Sequence, residues 1–353
     1  GSASGTVFAG SGTLSILAGA NVSGAVLQSG GQEVVLGGGV ARGTVVSATG
    51  QDVVSAGGVA SGTIISSGGN ELVSSSGLAR SATVLDGGVQ TLLKGGTASN
   101  TTVSSGGEVL VSSGAFDRQA VISNGGQEIV SNGGQAIGAV IGSGGSEIVS
   151  AGGQGNGAQI KDGGTQTVLL GGTATGAHVS SGGTENVSGV TQNTNIGDGG
   201  SVTVFSGGVA NNSLIQTGGY ELVMSGGAFS GATLAGGTLE IASGGNSLSS
   251  TIEFAGDGHL ILDSTRFRGK LDAFTLGDTI DLLTVAYGSS TTSSYVDAGT
   301  SGTLTVTDGT HTARLTLLGQ YQLGNFTVAN NGGHVQITDP PVSSGGGNLV
   351  TPH

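Results

Sequence analysis

Residues 125–143 read Gly-Gly-Gln-Glu-Ile-Val-Ser-Asn-Gly-Gly-Gln-Ala-Ile-Gly-Ala-Val-Ile-Gly-Ser, and residues 144–162 begin the same phrase again with Gly-Gly-Ser-Glu-Ile-Val-Ser-Ala-Gly-Gly. A glycine pair returns after eight residues, then after eleven, so the beat is 19 residues long. Its starts fall at Ser11, Gly30, Thr49, Gly68, Gly87, Gly106, Gly125, Gly144, Gly163 and Gly182 without a slip. Gly199, Gly218 and Gly236 follow at steps of 17, 19 and 18. Self-similarity at a fixed period of this length is the mark of a solenoid.

Numbered from the first glycine, position 6 is aliphatic throughout: Ile16, Val35, Val54, Val73, Leu92, Val111, Val130 and onward to Ile241. Position 17 behaves alike, from Leu27, Val46 and Ile65 to Ile160 and Val179, and position 12 is mostly alanine. Three apolar columns separated by turns fill the inside of a three-sided coil. The segments between turns are short and rich in Val, Ile and Thr, which is strand composition. Helix is excluded, because glycine costs about 1 kcal/mol against alanine inside a helix. The pairs suit corners that need positive φ. The chain is therefore read as all-β, a right-handed parallel β-helix of ~19-residue rungs and about 13 turns.

The beat stops near Ala255. Beyond it, Thr303–Thr307 and Thr312–Leu317 flank an Asp308-Gly309 turn, and Phe326–Ala329 and His334–Thr338 flank Asn330–Gly333. Both are hairpin signals. The expected organisation is a β-helix over 1–254, an all-β cap over 255–339 and a linker over 340–353, where Pro340-Pro341 precedes a Ser/Gly run. A cap is expected because solenoid ends expose strand edges.

Of 353 residues 75 are glycine, without the Gly-X-Y period of collagen. There are 22 Asp and Glu against nine Lys and Arg. Nucleic acid is a poor partner for such a chain, since phosphate contacts need clustered cations. Cysteine is absent, and no apolar run is long enough to insert in a membrane. The chain reads as a mature segment or an excised fragment.

Position 4 is a polar column: Glu33, Asp52, Glu71, Gln90, Glu128, Glu147, Gln166, Glu185 and Glu221. It reads either as an exposed acidic stripe that binds cations or a partner's polar face, or as a solvated face that keeps the protein soluble. Serines beside the corner glycines, among them Ser66, Ser104, Ser123, Ser143 and Ser180, form a second ladder. Ordinary turn chemistry accounts for serine there.

Catalysis has little support. Lyases and glycosidases need clustered acids or bases in a groove, and acids repeated in one column argue for a scaffold. His178, His259, His311 and His334 are scattered, which speaks against a catalytic or metal-binding histidine. Asp257, Asp263, Asp272, Asp278 and Asp281 are the densest acids and the place for a calcium site, but the calcium-binding nonapeptide repeat is absent. The expectation is no enzyme and no cofactor.

The unit Gly30 to Val35, Gly-Gly-Gln-Glu-Val-Val, and the stretch Ser206 to Ile215 resemble the 19-residue repeats of the AIDA-I, antigen 43 and TibA group of autotransporter adhesins. The resemblance covers about residues 11–254. It implies a passenger on the outer surface of a Gram-negative bacterium, promoting aggregation between cells, biofilm formation, adhesion and virulence. It also implies self-association, with host or matrix glycans as further partners, and O-linked heptose on the corner serines. The C-terminal module departs from the family, as does the lack of a translocator barrel in this chain. The alternatives are a passive stalk of a larger secreted protein and, behind it, a β-helix enzyme acting on polysaccharide.

Overall fold

The computed structural model describes residues 1–339; the expected linker over 340–353 lies outside the described residues. Among those described, regular structure is β-strand apart from one short 3-10 turn, Leu323–Asn325. The chain divides into two compact units, one formed by residues 1–178 with 182–185, the other by 179–181 and the residues from 186 onward.

In the first unit each rung supplies three strands. Asn70–Val73, Leu78–Arg80 and Thr83–Val84 make one rung, covering positions 3–6, 11–13 and 16–17. Each pairs in parallel with the residue 19 places away, as Asn70 with Gln51, Ala79 with Ala60 and Val84 with Ile65. The apolar columns expected inside are inside: Val73, Val84 and Ala79 are buried, as are their equivalents in the other rungs.

The two glycines of a pair serve different ends. At the corner Ser66–Gly69 the amide of Gly69 donates to Ser66 O at 2.9 Å, with Ser67 at φ 49° and Gly68 at φ 82°. Two successive left-handed residues in a four-residue turn make a primed turn, which reverses the chain tightly. The first glycine thus supplies a left-handed φ. The second is needed for closeness, since a Cβ on Gly69 would lie 2.2 Å from Val46 O of the preceding rung. The left-handed residues also turn their amides round. Ser67 and Gly68 donate to Asp86 O and Gly87 O of the following rung, whereas Asn70 donates to Gly50 O of the preceding one. At corners such as Ser66–Gly69 the turn is thus a hydrogen-bonded rung in its own right. A third corner is one residue wide, with positive φ at Gly62, Ser81, Asn100 and Gln119 in successive rungs.

The second unit continues the parallel pairing past the point where the beat fails. Ser201–Val204, Tyr220–Val223, Thr238–Ile241, His259–Leu262 and the start of Thr279–Ala286 stack in register. The expected end of the coil at Ala255 is therefore too early. Parallel stacking demands matched strands, not matched loops, and the loops here absorb one or two extra residues. The fold is a parallel β-solenoid of about 15 turns, against the 13 counted from the glycine beat; Leu262 and Leu282 extend the aliphatic column.

Both expected hairpins form. Ser301–Thr307 pairs antiparallel with Thr312–Leu318, and Thr327–Asn331 with His334–Thr338. His334–Thr338 then lies antiparallel on Thr279–Ala286, and Thr316–Leu317 pair with Lys270–Leu271. Two of the coil's last open edges are thereby paired, which blunts edge-to-edge association there. Phe254, Phe274, Phe326, Tyr295 and Tyr321 pack as a ring cluster beneath, with centroids 5.2 Å apart for Phe254 and Phe274.

Candidate functional site

The polar column at position 4 is not on the surface. Glu33, Asp52, Glu71, Glu128, Glu147, Glu185 and Glu221 are each fully buried, as are Gln90 and Gln166. The exposed acidic stripe, whether binding or solvating, is corrected on this point. The reason is the two-residue alternation of a strand: with position 6 inside, position 4 must be inside and positions 3 and 5 must face out.

Among the described residues no Lys or Arg is buried beside the interior acids. They have other partners. Thr44 Oγ1 donates to Glu33 Oε1 at 2.9 Å, Gln90 Nε2 donates to Glu71 Oε2 at 2.5 Å and Gln166 Nε2 donates to Glu147 Oε1 at 2.6 Å. The glutamines that interrupt the acids are thus their donors. Gly155 stands where other rungs carry alanine, and a Cβ there would lie 2.8 Å from Glu147 Oε1. Asp117, also in the alanine column and buried, comes within hydrogen-bonding reach of Glu128.

Burial is the main cause of high proton affinity in this column, because a charge without a cation is costly in a dry interior. It raises Glu33 and Glu71, with partial relief from Thr44 for the first and from Gln90 and Thr63 for the second. It raises Asp52 well above the usual carboxylate range, helped by Glu71 and Glu33. Asp117 is pushed up to about 6 and Glu147 to about 7. Glu128 is raised well above the ordinary value by burial, then by the charges of Asp117 and Glu147. The raised groups take up protons closer to neutrality than surface carboxyls do, and a protonated carboxyl donates as well as accepts.

The wall of positions 3 and 5 in the first unit carries one charged residue, Glu108. Position 5 carries Val34, Val53, Leu72, Thr91, Leu110, Ile129, Ile148 and Thr167, all half-buried. Position 3 beside it carries Gln32, Gln51, Asn70, Val89, Glu108, Gln127, Ser146 and Thr165. Gln32 Nε2 donates to Gln51 Oε1 at 2.7 Å, so the amides bond along the wall. Aliphatics stand outside and acids inside, the reverse of the usual partition. The alternation rule could have found this face from sequence.

The corner serines divide by geometry. Ser143 is exposed, and Ser66, Ser104, Ser123 and Ser180 are half-buried. Their neighbours Ser67, Ser105 and Ser181 are exposed and left-handed.

The five C-terminal aspartates are not drawn together. Asp278 accepts from the amides of Gly258 and Thr275, both at 2.8 Å. Asp281 meets His259 Nε2 at 2.8 Å and accepts from Asn331 Nδ2 at 3.2 Å. Their oxygens are engaged by protein donors, and among the described residues no group of three or more His, Cys, Asp or Glu is placed to hold a metal ion. His311 lies in the hairpin turn against Asp308, and His178 is exposed. Among the described residues no helix is long and apolar enough to cross a membrane.

No family model matches the chain, and no curated protein matches it. A solved structure does. The chain is similar to a TibC-catalysed, hyper-glycosylated fragment of TibA, at 32% identity and a TM-score of 0.72. The match covers 74% of this chain and 97% of that fragment.

Proposed function

The chain belongs to the family of AIDA-I/TibA-type autotransporter adhesin passengers, and on that premise we propose that it is an extracellular surface adhesin whose outer wall associates with a second copy of itself. The observation that supports this is the wall of positions 3 and 5. In most rungs it sets an amide or hydroxyl beside a Val, Leu or Ile, half-exposed and in register, with Glu108 and the Thr165–Thr167 pair as the exceptions. Any contact one rung makes with a partner is repeated by the next, so individually weak contacts sum through multivalency. Withdrawal of the acids to the interior removes the like-charge repulsion that two such walls would otherwise meet. The mechanism is therefore amides, hydroxyls and aliphatics, without the glutamates expected from the sequence.

The TibA fragment is hyper-glycosylated, and the corner serines of this chain are the corresponding acceptors in this reading. Ser143 is the most open, with Ser66, Ser104, Ser123 and Ser180 at equivalent corners. Intact mass after co-expression with TibC reads sugar addition directly; an unchanged mass would remove this part.

The deciding experiment is settling of cells that display the chain, beside sedimentation of the purified protein over a concentration series. Faster settling and a concentration-dependent sedimentation coefficient are expected. Unchanged settling and a monomer at all concentrations would sink the self-association reading.

A further inference from the structure

In the second unit one wall of the coil loses its strand. The column that runs through positions 11–13 has its last regular strand in Ala228–Ala235, and above it only Asn246 bridges to Ala228. In the next turn the same side is the irregular stretch 263–269. The vacated wall leaves a cleft of about 460 Å³, within the size range of small-ligand sites.

The floor of the cleft is apolar, made by Ile241 and Leu262, which are paired in register and 5% and 3% exposed. One rim is the turn carrying Ser243 and Asn246; the other carries Ser264, Arg266, Phe267 and Arg268. Asn246 Oδ1 is committed to the amide of Leu248 at 2.9 Å, and Ser264 Oγ receives the amide of Arg266 at 3.2 Å. The Phe267 ring lies over Gly269, where a Cβ would stand 2.4 Å from the ring edge, so glycine at 269 sets the ring's position. Arg266 and Arg268 are exposed, and among the described residues neither guanidinium forms an ion pair with a carboxylate. With Lys270 they place three of the chain's nine cations within five residues of a strongly acidic sequence.

From this arrangement we propose that the cleft is a binding site for an anionic saccharide. Two unpaired guanidinia on alternate residues are suited to clasp a carboxylate or sulfate, each offering a planar fork of donors. The Phe267 ring and the Ile241–Leu262 floor offer an apolar surface to the C–H face of a pyranose. Ser243 and the amide nitrogen of Asn246 are placed for its hydroxyls. The neutral, apolar parts of the cleft distinguish this from a simple anion trap, and the arginines distinguish it from a neutral-sugar cleft. This site is separate from the self-association wall, so the two readings fail independently.

The test is calorimetric titration of the full chain at two salt concentrations with three hexasaccharides: a heparin fragment (sulfated), a polygalacturonate fragment (carboxylated) and maltohexaose (neutral). Binding of one or both acidic probes but not maltohexaose is expected, weakening with salt. The preferred probe tells whether sulfate or carboxylate is the anchor. Arg266→Ala with Arg268→Ala should weaken binding by about tenfold or more, and Phe267→Ala should weaken saccharide binding while leaving affinity for inorganic sulfate unchanged. Both variants should retain the parent melting temperature, because the arginines are exposed and unpaired; if Phe267→Ala melts early, Phe267→Leu replaces it. Equal binding of maltohexaose, no binding of either acidic probe, or acidic-probe binding unaffected by the double arginine variant would each overturn the proposal.

Discussion

Gln166 donates from Nε2 to Glu147 Oε1 at 2.6 Å, one rung apart and wholly inside the coil. A protonated or amide-bonded column of this kind has an unusual consequence for stability. Burial raises Asp117 to about 6 and Glu147 to about 7, and raises Glu33, Asp52, Glu71 and Glu128 as well. The folded chain therefore holds more protons than the unfolded chain between the ordinary carboxylate range and those values. Stability is full below the unfolded pKa values and is lost as pH rises through the folded ones. The unfolding free energy measured in urea should fall between pH 4.5 and pH 8, by on the order of 1–3 kcal/mol for each fully titrating group. Glu128→Gln with Glu147→Gln should flatten that fall. A stability that rises over this interval would contradict the raised proton affinity of the interior carboxyls.

Three neighbouring glycines separate the reasons for glycine. Gly142 has no positive φ and no atom within 4 Å of a built Cβ; Gly144 has φ +68°; a Cβ on Gly145 would lie 2.2 Å from Ile122 O. Gly142→Ala should stabilise by about 0.4–1 kcal/mol through the unfolded chain. Gly144→Ala should cost about 1–2 kcal/mol for its left-handed backbone. Gly145→Ala should cost most, about 3 kcal/mol, because the obstacle is backbone of the rung below. Denaturation midpoints of the three variants give the order; equal effects would mean that the pair works through φ alone.

The coil was legible because its columns are chemically uniform. Val73, Val84 and Ala79 state their own burial, and the glycine pairs locate two of the three corners. The third corner is held by Gly62, Ser81, Asn100 and Gln119 in turn, so no single residue type announces it. The acids misled for a physical reason. A carboxylate in isolation seeks water, and that preference was set above strand alternation, which leaves no choice once Val73 is inside. The donors Gln90 and Gln166, which look like breaks in an acidic stripe, are what makes the burial tolerable. The cleft at Arg266 was hidden because a vacated wall has no sequence pattern, only the loss of one.

If the outer wall mediates association, a charge placed on it should act without unfolding the chain. Ile129 and Ile148 are half-exposed neighbours in position 5, paired in register. Ile129→Glu with Ile148→Glu should slow the settling of displaying cells severalfold through like-charge repulsion between walls. The melting temperature should move little, because surface substitutions usually cost within about 0.5 kcal/mol. Val121, on another wall and 42% exposed, is the control: Val121→Glu should settle like the parent. Equal slowing by all three changes would point to total charge and not to this face.

The C-terminal ring cluster carries the last prediction. Phe274 is fully buried, stacks against Phe326 and edges onto Phe254, and its carbonyl receives the Tyr321 hydroxyl at 3.1 Å. Burial, with the charges of Asp272 and Asp339, pushes the Tyr321 phenol up to about 12, so it remains a donor through the neutral range. Tyr321→Phe keeps the ring and loses the donor, which should cost about 1 kcal/mol. Phe274→Ala empties the centre of the cluster and should cost about 3–5 kcal/mol. Because Tyr321 and Phe326 join the two hairpins to the last turns, hydrogen exchange should quicken in Ser301–Thr307 and His334–Thr338 while amides such as that of Val73 keep their protection. Exchange that quickened uniformly from Val73 to Ile337 would show instead that the solenoid and its hairpins unfold together.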